Sequence, residues 1–111
     1  MAETYAVKIA TQAEEQMQEI THYIASKLKA LDAVLNLLDA LEDAISSLSE
    51  FPQRIALTEE EPWHSYGIRK MPVKNFLVYF WIDEEHLKVQ VTAVVYGKRD
   101  QVHQLSQMDM D

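Results

Sequence analysis

The sequence predicts a single α+β domain, in which a small, mostly antiparallel sheet carries a two-helix hairpin on one face. Two observations predict this fold. Apolar residues recur at helical spacing through residues 11–50, and alternating or wholly apolar runs follow in residues 67–96. The order of these runs is strand, helix, helix, strand, strand, strand. At 111 residues the chain is long enough for one core but not for two, so we expect one domain over 1–111 with a core at about 5–105.

The first strand and the first helix are predicted near the N-terminus. Tyr5, Val7 and Ile9 alternate with small or polar residues, which is typical of a short strand. Thr11 precedes Glu14 by three residues, so this pair predicts a capping box at the start of the helix. The apolar stripe of that helix comprises Ala13, Met17, Ile20, Ile24, Leu28 and Leu31.

A second stripe predicts the other helix of the hairpin. It comprises Val34, Leu38, Leu41, Ile45 and Leu48. Asp32 is the predicted N-cap. The helix is expected to end before Pro52, because proline cannot continue the backbone hydrogen bonds of a helix. Residues 53–65 have no period and are predicted to be a loop.

Three strands are predicted over residues 67–73, 76–83 and 87–96. The second of them is apolar on both faces and is therefore expected to be central. In the third, valine or alanine at positions 89, 91, 93 and 95 alternates with other residues, which predicts one buried face for all four. The helices should cover one side of this sheet. The other side is expected to stay free for partners.

Charge is divided unevenly along the chain. Residues 1–62 hold 12 Asp/Glu against 4 Lys/Arg, whereas residues 63–111 hold 6 of each, so the net charge of −8 arises in the first half. Such a chain fits poorly with a general nucleic-acid binder, because phosphate affinity depends on Lys and Arg. The absence of cysteine and of long apolar runs predicts a cytoplasmic protein without membrane contact. His22, His64 and His86 show no metal-ligand spacing, so we expect no metal and no other cofactor.

Basic residues gather at the two ends of the predicted three-stranded region. They are Arg69, Lys70, Lys74, Lys98 and Arg99. A cationic sheet on an anionic body predicts that the sheet contacts the partner. Tyr96 ends the last strand, where a phenol can bury its ring and keep its hydroxyl in water.

Several pieces of the chain, in their order, resemble one protein family. They are Tyr5-x-Val7-x-Ile9, Tyr23-Ile24, Ile45-x-x-Leu48-x-x-Phe51-Pro52, Gly67-Ile68-Arg69-Lys70, Val73-x-Asn75-Phe76-Leu77-Val78-Tyr79 and Tyr96-Gly97-Lys98-Arg99-Asp100. Together they resemble the RelE/ParE toxins of bacterial type II toxin–antitoxin modules, the plasmid stabilisation type. The resemblance implies the fold predicted above, growth arrest by the toxin, and a cognate antitoxin that holds the toxin inactive.

The family resemblance implies two different modes of action. One branch looks like ribosome-dependent mRNA endonucleases, and the other like inhibitors of DNA gyrase that act by binding. For a nuclease, the resemblance implies catalytic roles for Arg69 and Arg99, with His103 as a proton-transfer group. Phe76 and Leu105 stand where that branch has an arginine and often a tyrosine, so we favour gyrase inhibition.

Alternatives stay open for the function and for these residues. The chain could be an mRNA endonuclease, or an inactive toxin that still binds antitoxin. Arg69 and Arg99 could equally be surface charges or ion-pair partners of Asp100 or Glu61, and His103 a surface side chain. In the binding mode, the predicted contact residues are Lys70, Lys74, Tyr96 and Lys98. The expected partners are the antitoxin and either gyrase or the ribosome with mRNA, and a homodimer is an open alternative.

Overall fold

The computed structural model describes residues 4–28 and 31–96, apart from the side chains of residues 27 and 28. Its strands are β1 (Ala6–Ile9), β2 (Arg69–Val73), β3 (Phe76–Asp83) and β4 (Lys88–Tyr96). They form one sheet in the order β1-β4-β3-β2, in which β1 runs parallel to β4 and the other pairs are antiparallel. Helices α1 (Thr11–Tyr23) and α2 (Leu31–Ser46) connect β1 to β2. The predicted α+β fold is confirmed.

The main core lies between the helices and one face of the sheet. From the helices it receives Ala13, Leu37, Leu41 and Ile45, and from the sheet Met71, Val73, Val78, Phe80, Val89, Val91 and Val94. The predicted stripe of α2 included Leu38, which is only half-buried. The preceding residue, Leu37, is buried because it lies closer to the middle of the face that meets the sheet. Within the described residues, neither helix is long and apolar enough to cross a membrane.

Three predicted details of the hairpin were wrong. Asp32, the predicted N-cap of the second helix, lies inside α2, which begins at Leu31. The N-cap of α1 is Ala10, and no side chain caps the helix, so Thr11 and Glu14 form no capping box. Leu31 was predicted to close the first stripe, but it begins α2 and is 68% exposed. Between the helices the chain passes through a π-helical turn at Ile24–Leu28, whose wider spacing ends the 3.6-residue period on which the prediction relied.

A β-bulge between β3 and β4 divides the predicted stripe of β4. Tyr79 pairs with Ala93, whereas the next residue, Phe80, pairs with Val91, so Thr92 is an extra residue. Because side chains alternate between the faces of a strand, one extra residue moves the following positions to the other face. Val91 therefore lies against the helices and Ala93 on the opposite side. The prediction of a single shared face was wrong.

The sheet face opposite the helices is partly covered, contrary to expectation. Ile68, Tyr79, Ala93 and Val95 form a second buried cluster there, against which Trp63, Leu77 and Trp81 pack. We call residues 53–68, which bring Trp63 to this face, the covering segment. Hydrogen bonds from Thr58 N–H to the Ile68 carbonyl (2.9 Å) and from Lys70 N–H to the Ala56 carbonyl (3.2 Å) fold the segment back beside β2. The predicted loop is thus an ordered part of the fold.

Candidate functional site

The predicted site residues fall into three places. Lys98, Arg99 and His103 lie outside the described residues, so their roles stay predictions. Arg69 and Lys70 begin β2, where they face the covering segment. Lys74, Phe76 and Tyr96 lie at the other end of β2 and β3.

Arg69 is anchored to the protein's own backbone. Its Nη1 donates a hydrogen bond to the carbonyl of Ile55 at 2.5 Å and a longer one to the carbonyl of Gln53 at 3.4 Å. The guanidinium therefore ties the covering segment to β2, a structural role in the fold. Glu61, considered above as its ion-pair partner, instead accepts hydrogen bonds from the backbone N–H (2.9 Å) and hydroxyl (2.8 Å) of Ser65.

Lys70 interacts with an acidic residue of the covering segment. Its Nζ lies 3.9 Å from Oε1 of Glu60, and both side chains are partly exposed. The other oxygen of Glu60 accepts a short hydrogen bond from the hydroxyl of the buried Thr58. That bond is the main cause that holds the pKa of Glu60 below its usual value, and the charge of Lys70 contributes less. Because the ion pair is half open to water, it stabilises the fold by less than about 1 kcal/mol.

The sequence assigned no role to Tyr79, which pairs with Lys70 across β2 and β3. Its side chain is fully buried in the second cluster. Burial, with a smaller effect from the charge of Glu60, raises the pKa of the Tyr79 phenol to about 12. The phenol is therefore uncharged at neutral pH. Nearby, Nδ1 of His64 lies 2.8 Å from the carbonyl oxygen of Thr58.

An aromatic pair occupies the opposite end of the sheet. Phe76 and Tyr96 face each other across β3 and β4, with ring centroids 5.3 Å apart and planes inclined by 47°. Lys74 is exposed in the turn between β2 and β3, at a φ of 54°. This end therefore presents a cation beside an aromatic pair.

The two ends of the sheet are well separated. Arg69 pairs with Phe80, whereas Tyr96 pairs with Phe76, four positions earlier on β3. At about 3.3 Å per residue, this places Arg69 and Tyr96 about 13 Å apart along the strand. Of the basic residues that the structure describes, Arg69 and Lys70 thus lie at one end of the sheet and Lys74 at the other. Across the described part of the chain, no three His, Asp or Glu side chains are close enough to hold a metal ion.

We expect Thr58→Val to raise the pKa of Glu60, because the change removes the strongest hydrogen bond to its carboxylate. A carboxyl group with a lowered pKa stabilises the folded state above its unfolded pKa, and this contribution is lost as pH falls through the folded pKa. The wild type should therefore lose more stability on acidification than the variant. Carbon-13 NMR titration of the carboxyl groups measures the pKa directly.

Ser65→Ala is the matched control for this change. It removes the corresponding hydrogen bond to Glu61, whose pKa the Ser65 contacts lower. The pKa of Glu61 should then rise while that of Glu60 stays constant. If Thr58→Val left the pKa of Glu60 unchanged, the short hydrogen bond would not be its cause.

Comparison with known proteins identifies the family of this chain. The family model of the ParE toxin of type II toxin–antitoxin systems, parDE, matches residues 7–101. The toxin–antitoxin complex RelBE2 from Mycobacterium tuberculosis is 19% identical, with 84% of this chain and 98% of that chain covered and a TM-score of 0.55. The chromosomal ParDE system from P. aeruginosa is also 19% identical, with coverage of 84% and 96% and a TM-score of 0.60.

A mutant of the E. coli toxin RelE in the free state gives a TM-score of 0.61 at 14% identity, with coverage of 91% and 92%. Comparison with curated protein sequences gives no match. At these identities the solved structures establish the fold alone. The family model spans both helices and all four strands apart from the first residue of β1. The chain belongs to the ParE toxin family of type II toxin–antitoxin systems.

Proposed function

We propose that this toxin arrests growth by binding DNA gyrase and that a cognate antitoxin neutralises it. The observation that carries the proposal is the position of Arg69, whose guanidinium donates to the backbone carbonyls of Ile55 and Gln53. An RNA-cleaving relative needs this arginine to stabilise the charge that develops on phosphorus. A guanidinium that anchors the protein's own backbone is poorly placed for that task, which favours a toxin that acts by binding.

Two further observations oppose the nuclease mode. Phe76 stands where the nuclease branch has an arginine, and its ring is packed against Tyr96. The net charge of −8 also opposes approach to the ribosome and mRNA, because both are polyanions. A protein target requires neither an arginine at position 76 nor a positive net charge.

For the gyrase contact we propose the end of the sheet that carries Lys74 and Tyr96. Lys74 is exposed there beside the aromatic pair, and aromatic residues with nearby cations are common anchors of protein interfaces. Lys98, two positions after Tyr96 in the sequence, stays a predicted contact.

We expect Lys74→Glu to weaken growth arrest about 10-fold or more, measured as the inducer concentration that halves the growth rate. Lys8→Glu changes the charge equally at an exposed position of β1 and should have little effect. Equal effects of the two changes would contradict the assignment.

The mode of action can be tested in growing cells. The toxin is induced, and incorporation of labelled thymidine and of labelled amino acid is followed over the first minutes. We expect thymidine incorporation to stop first while protein synthesis continues. An early collapse of protein synthesis with codon-phased cuts in mRNA would instead identify the nuclease. Unimpaired growth in the absence of antitoxin would identify an inactive toxin.

For the antitoxin we propose a segment with apolar anchors flanked by Lys or Arg. Leu31 and Leu35 lie one turn apart on α2 and are 68% and 60% exposed, so they offer an apolar strip next to the half-buried Leu38. Exposed acidic residues border this strip along the same helix. They are Asp32, Asp39, Glu42 and Asp43. The RelBE2 relative was solved as a toxin–antitoxin complex, which supports a partner of this class.

Charge should accelerate the encounter between this strip and the antitoxin. We expect the association rate constant to fall by 10-fold or more between about 50 and 500 mM salt, because screening weakens the attraction between the acidic helix and a basic segment. Stopped-flow mixing of toxin and antitoxin measures it. Asp39→Asn combined with Asp43→Asn should reduce the salt dependence, whereas Glu84→Gln, in the turn after β3, should not. Rates that stay constant with salt would remove charge from the explanation.

A further inference from the structure

Phe51 is exposed in a backbone conformation that phenylalanine rarely adopts. It lies between the 3-10 turns Ser47–Ser49 and Pro52–Arg54, with φ 45° and ψ 59°, and its side chain is 64% exposed. The left-handed region is unfavourable for a residue with a Cβ, because the Cβ comes too close to the following carbonyl oxygen. An exposed ring recovers little of that cost within the chain, because it buries little apolar surface.

Arg54 holds Phe51 in this position. Its Nη1 donates to the carbonyls of Glu50 (2.7 Å), Phe51 (3.0 Å) and Ser47 (3.3 Å), and its Nη2 donates to the Ser47 hydroxyl at 2.8 Å. The adjoining Pro52 is buried. The turn therefore presents the Phe51 ring outward from a fixed backbone, which is the arrangement that lowers the entropic cost of inserting an anchor into a partner.

A shallow groove of about 540 Å³, largely open to solvent, lies beside this ring. It is lined by Ser46, Ser47, Ser49, Glu50, Phe51 and Arg54. Three of the six lining residues are serines, whose small side chains leave room for a phenyl ring. A projecting ring and a recess of suitable size thus belong to the same patch of surface, which we call the Phe51 patch.

We propose that the Phe51 patch is the interface of a homodimer, in which each copy inserts Phe51 into the groove of its partner. A two-fold interface brings the same patch of both copies together, so one patch must contain both the projection and the recess, as this one does. Charge also fits a second copy. Glu50 and Arg54 lie on the same patch, and a two-fold axis between copies brings the acid of one towards the base of the other.

The charge of α2 opposes self-association through that helix. Exposed acidic residues line α2, so two copies that met through this helix would repel each other. The Phe51 patch has one acidic and one basic residue and is locally neutral. This contrast favours a second copy at the Phe51 patch and leaves α2 available for a partner of opposite charge.

Sedimentation equilibrium of the full chain, purified free of antitoxin, tests the proposal. We expect the mass to rise from monomer to dimer with concentration across about 1–500 μM. Phe51→Asn should weaken the dimer about 100-fold or more, because two buried rings are lost while asparagine accepts the left-handed backbone. Glu50→Lys should also weaken it, by placing like charges opposite Arg54. Tyr66→Asn removes another exposed aromatic ring, 58% exposed, and should leave the dimer constant unchanged.

Circular dichroism and antitoxin titration of the same variants distinguish this interface from other roles. Phe51→Asn should retain the wild-type spectrum, melting temperature and antitoxin affinity. A monomeric mass at every concentration would overturn the proposal. So would a wild-type dimer that Phe51→Asn leaves intact, since the interface would then lie elsewhere. A monomer whose antitoxin affinity falls on Phe51→Asn would overturn it too and would assign the ring to the antitoxin.

Discussion

Phe80→Ala should lower the free energy of unfolding by about 3–5 kcal/mol, through lost burial and the cavity that remains. The ring is fully buried in the core beneath the helices, at the centre of the sheet between β2 and β4. A domain of this size has about 5–15 kcal/mol of stability in total. The variant should therefore unfold at a much lower urea concentration, and we expect both growth arrest and antitoxin binding to fall with the folded fraction.

Trp81 is the matched control for this prediction, because it is the next large aromatic residue on the same strand but points to the other face. It is half-buried, and its indole N–H is buried without a hydrogen-bond partner among the described residues. Trp81→Phe keeps most of the ring packing and removes a desolvated donor, so it should change stability by less than about 1 kcal/mol. If urea denaturation gives both variants the same m-value, their midpoints compare the free energies of unfolding directly. A loss for Trp81→Phe as large as for Phe80→Ala would show that the second cluster carries the stability.

Elements with a regular period were predictable because the period reflects one-sided burial. All four strands and both helices are found near their predicted places, and β3 spans Phe76–Asp83, as predicted. The π-helical turn at Ile24–Leu28 was not predictable, because its residues differ in no clear way from those of an ordinary helix. The extra residue at Thr92 was hidden in the same way among valines and other strand formers.

The candidate site was less predictable because its contacts join distant parts of the chain through backbone atoms. The sequence singled out Arg69 as a basic residue, but its acceptors are the carbonyls of Gln53 and Ile55, and every residue type has a carbonyl. The proximity of Glu60 to Lys70 likewise depends on how the covering segment returns to β2. Lys98, Arg99 and His103 are outside the described residues, so their roles rest on the sequence.

The bulge leads to a prediction about deletions in β4, which is that loss of Gln90 strongly destabilises the fold. This deletion leaves two ways to pair β4 with β3. Either Val89 leaves the core beneath the helices and Lys88 takes its place, or the bulge is lost and Thr92 replaces Val91 in that core. The displaced valine forfeits about 1.5–3 kcal/mol of burial, and a polar residue enters the core. The loss is a large part of the about 5–15 kcal/mol that a domain of this size has.

Deletion of Thr92 is the matched control, because it shortens the same strand by one residue but removes the extra residue itself. Val91 and Ala93 then become neighbours, and regular alternation keeps them on their present, opposite faces. This variant loses the hydrogen bond from the Thr92 hydroxyl to the Tyr79 carbonyl (3.2 Å), at a cost of about 1 kcal/mol, and should stay folded. Circular dichroism and urea melts should show cooperative unfolding for the Thr92 deletion and a much lower midpoint, or no transition, for the Gln90 deletion. Equal losses for the two deletions would mean that any shortening of β4 is damaging, and the alternation of faces would then not explain the effect.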